Sequence, residues 1–395
     1  MFETLSPAPP DPILGLGESF LADNRPGKIN LSIGVFKDEQ GQTPVLNCVK
    51  LAEQQLLESE RTKGYLGIDG LADFNRLATE LMLGGIVPPQ QVAVCQTPGG
   101  TGALRVAADF LAKSLAPSRV WCSAPTWPNH GPIFESAGHE VKSYRYLSAD
   151  RRTLDLEGMF DDLQQACPGD VVCLHACCHN PSGIDPTAQQ WAAIAEQTAS
   201  RKLMPLIDFA YQGFGDGLVE DQVGIRAMAQ KHAEFLLCGS FSKNFGLYSE
   251  RVGTLMVAVP QVDSANSVAS RIKLAVRSNY SNPPRHGAAV VATVLSDPEL
   301  RRQWEDELTG MRQRIHRMRS EFVAETKRIG CATDFSFLMD QRGMFSFSGL
   351  TPLQVDWLRT EKAIYIVGSG RINVAGITPQ NLETLAAAVS EALSV

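Results

Sequence analysis

Short apolar runs recur at residues 119–122, 171–174, 204–207, 235–237 and 255–259, and helical stretches such as residues 187–203 fall between several of them. Runs of this length bounded by turn residues read as buried strands. Strand, helix and strand in alternation demand crossover connections, and these give an α/β fold whose mainly parallel sheet carries helices on both faces. In such sheets ligands lie beyond the carboxyl ends of the strands. The polar residues that follow the runs are therefore the ones to follow: Trp127, Asn180, Asp208 with Tyr211, and Ser240 to Lys243.

A chain of 395 residues suits about two domains. Hydrophobic residues at 44% and charged residues at 20% exclude wholesale disorder, and a net charge of -7 gives no basic footprint for nucleic acid. Nine cysteines, including adjacent Cys177 and Cys178, show no disulfide framework and read as reduced thiols of a cytoplasmic protein. The N-terminal residues lack the basic and apolar regions of a signal peptide, and no apolar run reaches the length of a membrane span.

The first dozen residues hold four prolines and are expected to form an extended arm rather than a helix or central strand. Residues 29–35 alternate up to Gly34 and predict a short strand, and residues 47–61 carry Val49, Ala52, Leu56 and Leu57 at helical spacing. A glycine-rich loop at residues 63–70 holds Tyr65. Residues 95–102 read as a glycine-rich turn opening a helix at 103–111, and a helix that starts there points free N–H groups at an anion. The turn lacks both the Walker A ending and the Gly-x-Gly-x-x-Gly pattern, and taken alone such a turn is more often an ordinary tight turn than a phosphate cradle. Leu300, Trp304, Leu308, Met311, Ile315, Met318 and Phe322 make one apolar stripe on a long helix, expected to link a large domain to a smaller α+β unit.

Gly239-Ser240-Phe241-Ser242-Lys243-Asn244-Phe245-Gly246 sets one lysine among hydroxyls and glycines where a loop leaves a strand. That is the setting of a lysine that bonds covalently to an aldehyde, although most lysines so flanked are solvated loop residues. Together with Glu250-Arg251-Val252-Gly253, His179-Asn180-Pro181-Ser182-Gly183, Asp208-Phe209-Ala210-Tyr211-Gln212-Gly213-Phe214 and Ser369-Gly370-Arg371-Ile372-Asn373, the stretch resembles the aspartate and aromatic aminotransferases of fold type I. The likeness runs in the family's order from Asp11-Pro12-Ile13-Leu14 to the last helix.

This resemblance implies pyridoxal 5′-phosphate as cofactor, a seven-stranded sheet in a large domain, and a homodimer with shared active sites. The large domain would span residues 45–315, the small one residues 13–44 and 316–395, and the arm residues 1–12. Lys243 would hold the cofactor and move a proton between Cα and C4′, and Asp208 would keep the pyridine nitrogen protonated. Tyr211 and Asn180 would hydrogen-bond the phenolic oxygen. Gly100, Thr101, Ser240, Ser242 and Arg251 would take the phosphate, joined by Tyr65 of the second subunit, and Trp127 would stack on the ring. Arg371 would bind the substrate α-carboxylate beside Gly34, and Arg277, in the Ser-Asn-Pro-Pro motif, would reach across the dimer to the distal carboxylate.

Other readings stand beside these: Asp208 as a helix cap, Asn180-Pro181 as a turn, Trp127 as packing, Arg277 as a surface charge. His175, Cys177, Cys178 and His179 crowd too closely along the chain to surround one ion tetrahedrally, so packing or support beneath the cofactor is expected of them. Val35, Lys37, Thr43, Thr101 and Asn282 resemble the aspartate branch, whereas Gly64 stands where asparagine is usual. The expected activity is ping-pong transamination between aspartate and 2-oxoglutarate, probed against an aromatic-amino-acid aminotransferase as the close alternative. A cofactor-binding regulator is disfavoured because the likeness leaves no room for a leading DNA-binding domain, and a decarboxylase because both carboxylate-binding arginines are present.

Overall fold

The computed structural model describes residues 2–7, 14–115 and 118–395, without the side chain of Leu14. Much of the expected arm, and Asp11-Pro12-Ile13 with it, lies outside the described residues. Within the arm Phe2–Thr4 form a 3₁₀ turn rather than extended chain, closed by Leu5 N–H on the Phe2 carbonyl at 3.1 Å. The prolines begin only at Pro7 and leave these residues free to turn.

Two compact units make up the chain: Pro44–Gln313, and Met1–Thr43 with Arg314–Val395. The first holds seven strands: β1 (Val92–Pro98), β2 (Arg119–Ala124), β3 (Glu140–Arg145), β4 (Val171–His175), β5 (Met204–Phe209), β6 (Phe235–Ser240) and β7 (Val252–Ala258). They lie in the order β1-β7-β6-β5-β4-β2-β3, with β7 antiparallel to both neighbours and the other pairs parallel. Every residue of β4, β6 and β7 is buried, as expected of strands covered on both faces.

The five apolar runs fall in β2, β4, β5, β6 and β7. Two strands carry no such run. β3 is an edge strand whose Glu-Val-Lys-Ser-Tyr-Arg sequence is largely open to solvent. β1 is the other edge and corrects the reading of residues 95–102 as a turn: the ladder with β7 continues to the Pro98–Val252 pair, and helix α1 (Gly99–Ser114) starts on the next residue. An edge strand tolerates its terminal proline, and Gly99 makes the corner at φ 74°. Ala103, Leu104, Ala107, Phe110 and Leu111 of α1 then pack on Leu206, Leu236, Cys238, Leu255 and Val257 of the sheet. The helix expected over residues 187–203 is Ala188–Ser200, capped by Thr187 and Gln190 in a reciprocal box.

The smaller unit has two short ladders, Ile29–Asn30 parallel to Ile364–Tyr365 and Phe345–Phe347 antiparallel to Arg371–Asn373. The strand expected over residues 29–35 stops at Asn30 because side chains take over its hydrogen bonds. Asn30 Oδ1 accepts from Ser32 N–H at 2.9 Å, and Asn373 Nδ2 donates to the carbonyls of Ile33 and Val35 at 2.7 and 2.9 Å. Helix α2 (Pro298–Arg328) contains the boundary between the units, and its apolar stripe from Leu300 to Phe322 is buried. No described helix is long and apolar enough to cross a membrane.

Two glycines give opposite expectations. A Cβ at Gly253 would lie 2.4 Å from the backbone carbon of Gly99, which cannot step aside, whereas one at Gly310 in α2 meets nothing within 4 Å. Gly253→Ala is expected to destabilise by about 1–3 kcal/mol, and Gly310→Ala to stabilise by about 0.5–1 kcal/mol. Urea denaturation of the two variants checks both signs.

Candidate active site

The lysine loop is fixed by rings on either side. Phe241 meets Phe74 edge-on at 5.2 Å and Phe245 at 5.7 Å, while Phe245 stacks on Trp304 at 4.5 Å. The Trp304 indole donates to the Asn244 carbonyl at 2.8 Å, and Gly246 N–H closes the turn on the Lys243 carbonyl at 3.1 Å. A side chain held this way is ordered by its neighbours rather than by its own preferences. Lys243 is partly buried, its Nζ lies 4.7 Å from the centre of the Tyr211 ring, and that amine forms no hydrogen bond among the described residues. Burial lowers its pKa to about 8, against the pull of the Asp208 charge and with help from Arg251.

Asp208 ends a strand adjacent to the one that delivers Lys243, and stands in register with His175 of β4 and Cys238 of β6. Its Oδ2 is 3.2 Å from His130 Nε2, and His130 Nδ1 is 2.7 Å from Thr126 Oγ1. Burial pushes the carboxyl up. The His130 hydrogen bond and the charges of His130, His175 and Lys243 outweigh it, so Asp208 titrates below the ordinary carboxylate range and stays anionic. Tyr211 is buried two residues beyond β5.

Asn180 is buried in the loop after β4. The Asp185 carboxylate accepts from the backbone N–H of Cys178 and His179 at 2.6 and 2.8 Å. His179 is wedged between Ser123 and Ser182 at 3.0 and 2.7 Å and stacks on Tyr146 at 3.8 Å, and burial drives its pKa well below the ordinary value. His175, Cys177, Cys178 and His179 are all buried, and the His175 ring meets His179 edge-on at 4.5 Å. Trp127 packs against the core and meets His130 edge-on at 5.4 Å.

An anion cradle forms where α1 begins. A Cβ at Gly99 would lie 2.6 Å from Arg251 Nη2, and one at Gly100 would lie 3.2 Å from Ser240 Cβ. Arg251 Nη1 donates to Ser242 Oγ at 3.3 Å, and Ser242 N–H to Ser240 Oγ at 3.3 Å. Gly100, Thr101, Ser240, Ser242 and Arg251 are therefore gathered at one helix N-terminus, where N–H groups and a guanidinium favour a phosphate. Arg251 holds φ 56°, a left-handed conformation rare for a side-chain-bearing residue and frequent at ligand sites. A desolvated amine, an anionic carboxylate and this cradle, all in one unit, fit a cofactor with an aldehyde, a basic ring nitrogen and a phosphate.

Two expected residues stay outside this group. Tyr65 is 95% exposed, and Arg277, exposed at the end of the helix Val262–Asn279, hydrogen-bonds only Ser281 among the described residues. Arg371 and Gly34 belong to the smaller unit. Arg371 is buried, donates to the Ser32 carbonyl at 2.6 Å and lies over the Phe345 ring at 4.2 Å, and that same ring would be 2.6 Å from a Cβ at Gly34. A Cβ at Gly64 would meet only Thr62 Oγ1, at an ordinary contact distance of 3.4 Å, and Gly64 has no positive φ, so packing does not demand a glycine there.

Sequence reading missed His130, Thr126 and Gly99. His130 reaches Asp208 across 78 residues of chain, and no local pattern announces it. Gly99 was legible only as one glycine among three.

Residues 26–389 match the family profile described as aminotransferase class I and II. The aspartate aminotransferase of Escherichia coli (strain K12) is 55% identical over 392 residues, 98% of this chain and 99% of that one. The aromatic-amino-acid aminotransferase of Pseudomonas aeruginosa is 47% identical over 393 residues, 99% of this chain and 98% of that one. Among solved structures, the aromatic-amino-acid aminotransferase from Burkholderia pseudomallei covalently bound to pyridoxal phosphate superposes with a TM-score of 0.96 at 45% identity, covering 100% of this chain and 99% of that one. A profile spanning nearly the whole chain, with relatives this similar over their full lengths, establishes that this chain belongs to the class I and II aminotransferases.

Proposed function

We propose that this chain transfers the amino group of L-aspartate, and of aromatic amino acids as well, to 2-oxoglutarate with pyridoxal 5′-phosphate as cofactor. The observation that carries the reading is the pairing, on adjacent strand ends, of an amine brought to about pH 8 with a carboxylate kept anionic. Pyridoxal 5′-phosphate, when bound, supplies an aldehyde that takes up amino nitrogen and a ring that accepts the electrons left by Cα–H cleavage.

The residues divide that work. Lys243 holds the cofactor and, once freed, takes the proton from substrate Cα and returns it at C4′. Asp208, oriented by His130, holds the proton on the ring nitrogen. Tyr211 and Asn180 hydrogen-bond the phenolic oxygen, and Trp127 covers one ring face. Gly100, Thr101, Ser240, Ser242 and Arg251 bind the phosphate. Arg371 takes the α-carboxylate, with Gly34 leaving room beside it, and the guanidinium fork suits that group.

Residues 45–315 form the cofactor-binding domain in this reading, residues 13–44 and 316–395 the small domain, and residues 1–12 an arm. The exposed Tyr65 and Arg277 find their work in a homodimer, Tyr65 at the phosphate and Arg277 at the distal carboxylate of the other subunit's site. The protein works in the cytoplasm, with an amino acid leaving as its 2-oxo acid before the second 2-oxo acid binds.

Purified protein loaded with the cofactor is expected to change its visible absorbance on addition of aspartate and to revert with 2-oxoglutarate; a protein that takes up no cofactor removes the reading. Initial rates should give parallel double-reciprocal lines. Turnover of aspartate should match or exceed that of phenylalanine and tyrosine, and aspartate slower by about tenfold, some 1.4 kcal/mol in the transition state, would select the aromatic reading instead.

Below about pH 8 the Lys243 ammonium has no lone pair to offer, and above it the neutral amine predominates. The rate of cofactor uptake by the cofactor-free chain should therefore rise through this pH and level off beyond it. Lys243→Ala should abolish covalent attachment and slow amino transfer by about 10⁴-fold.

Lys243→Ala and Arg277→Ala proteins, each inactive on aspartate, should regain about a quarter of wild-type activity when unfolded together and refolded as mixed dimers, because one site of each hybrid is then complete. Failure of mixtures to exceed either parent would contradict the shared site.

A further inference from the structure

Two trios of metal-ligating side chains share His130 beneath the site. In one, the donor atoms of His130, His175 and Asp208 all lie within 4.8 Å of one another; in the other, His130 stands with Cys122 and Cys173 within the same distance. All five residues are buried. The first trio contains a feature the second lacks. His175 is only 6% exposed, yet neither of its ring nitrogens has a hydrogen-bond partner among the described residues. A buried imidazole without partners is costly, and a ligand at its lone pair relieves that cost.

We propose that His130, His175 and Asp208 form a binding site for a zinc-class divalent cation. Tetrahedral zinc with nitrogen and oxygen bonds of about 2.0–2.2 Å places its donors about 3.3 Å apart. His130 Nε2 and Asp208 Oδ2 are already 3.2 Å apart. With the trio inside 4.8 Å, the His175 ring completes the set by a movement of at most about 1.5 Å. Thr126 Oγ1, 2.7 Å from His130 Nδ1, supplies the orienting contact that metal-bound histidines keep on their second nitrogen. A solvent molecule fills the fourth position. The ion replaces the hydrogen bond between His130 Nε2 and Asp208 Oδ2. Because the dication draws charge from Asp208, the bound ion weakens the carboxylate's hold on the ring-nitrogen proton and slows amino transfer, a consequence that rests on the function proposed above.

The probe is Co²⁺, titrated into the full-length protein as purified and read by the visible bands of a tetrahedral cobalt centre. One Co²⁺ per chain is expected, displaced by Zn²⁺ and removed by EDTA. His175→Gln should weaken binding by more than about a hundredfold, above what loss of a merely supporting residue costs, whereas Cys173→Ser should leave it unchanged. No cobalt spectrum, equal binding by His175→Gln, or loss of binding in Cys173→Ser each overturns the proposal. Should His175→Gln fail to fold, X-ray absorption of the zinc-loaded wild-type chain decides the matter: two imidazoles without sulfur support the site, and sulfur scattering overturns it. Amino transfer is measured separately on EDTA-treated protein, so cobalt binding without any response to aspartate leaves the metal site standing and removes the transferase reading alone.

Discussion

A carboxylate and an amine stand at the carboxyl ends of two neighbouring strands, where burial and their mutual attraction make opposite demands on the charge of each. Burial acts on both in the direction of neutrality, raising Asp208 and lowering Lys243. Each charge opposes that drift in the other. His130 decides the asymmetry: its hydrogen bond, with the charges nearby, carries Asp208 below the ordinary range, while the amine is left near neutrality, where it can act as nucleophile or base. The parallel pairing of β5 and β6 makes this possible, because it brings both chain exits to the same edge of the sheet.

Close backbone approach does the complementary work for the anion cradle. Gly253 lets the chain pass against the Gly99 backbone, and Gly99 in turn leaves space for the Arg251 guanidinium. The start of α1 is thereby pinned against the strand end that carries Ser240, so one contact between glycines sets where N–H groups and hydroxyls converge. In the smaller unit a single amide has a comparable role. Asn373, next but one to Arg371, holds the carbonyls of Ile33 and Val35 on either side of Gly34, and so the guanidinium and its neighbouring backbone are built as one piece.

The parts of the fold that could be read from the residues were those where burial is uniform. β4, β6 and β7 are covered on both faces, so their apolar runs are unbroken and bounded by turns. β1 and β3 lie at the edges, where one side of the ladder faces no strand and the pattern is diluted, and neither was anticipated. Residues 29–35 alternate as a strand does, yet side-chain amides from Asn30 and Asn373 captured the backbone groups that a ladder would have used. The helix stripe from Leu300 to Phe322 was legible because its period repeats for several turns.

By itself the sequence determined the alternation of strand and helix, the edge at which polar residues collect, and the identity of the residues there, since periodicity and motif order are local properties of the chain. Only the tertiary structure decided that His130 meets Asp208, that His175 shares their neighbourhood, and that Trp304 braces the lysine loop. These contacts join segments 60 to 78 residues apart or lie across strand registers. Their distances follow from how strands pair and rings pack, and no local pattern encodes a side-chain separation that exists only once the sheet is assembled.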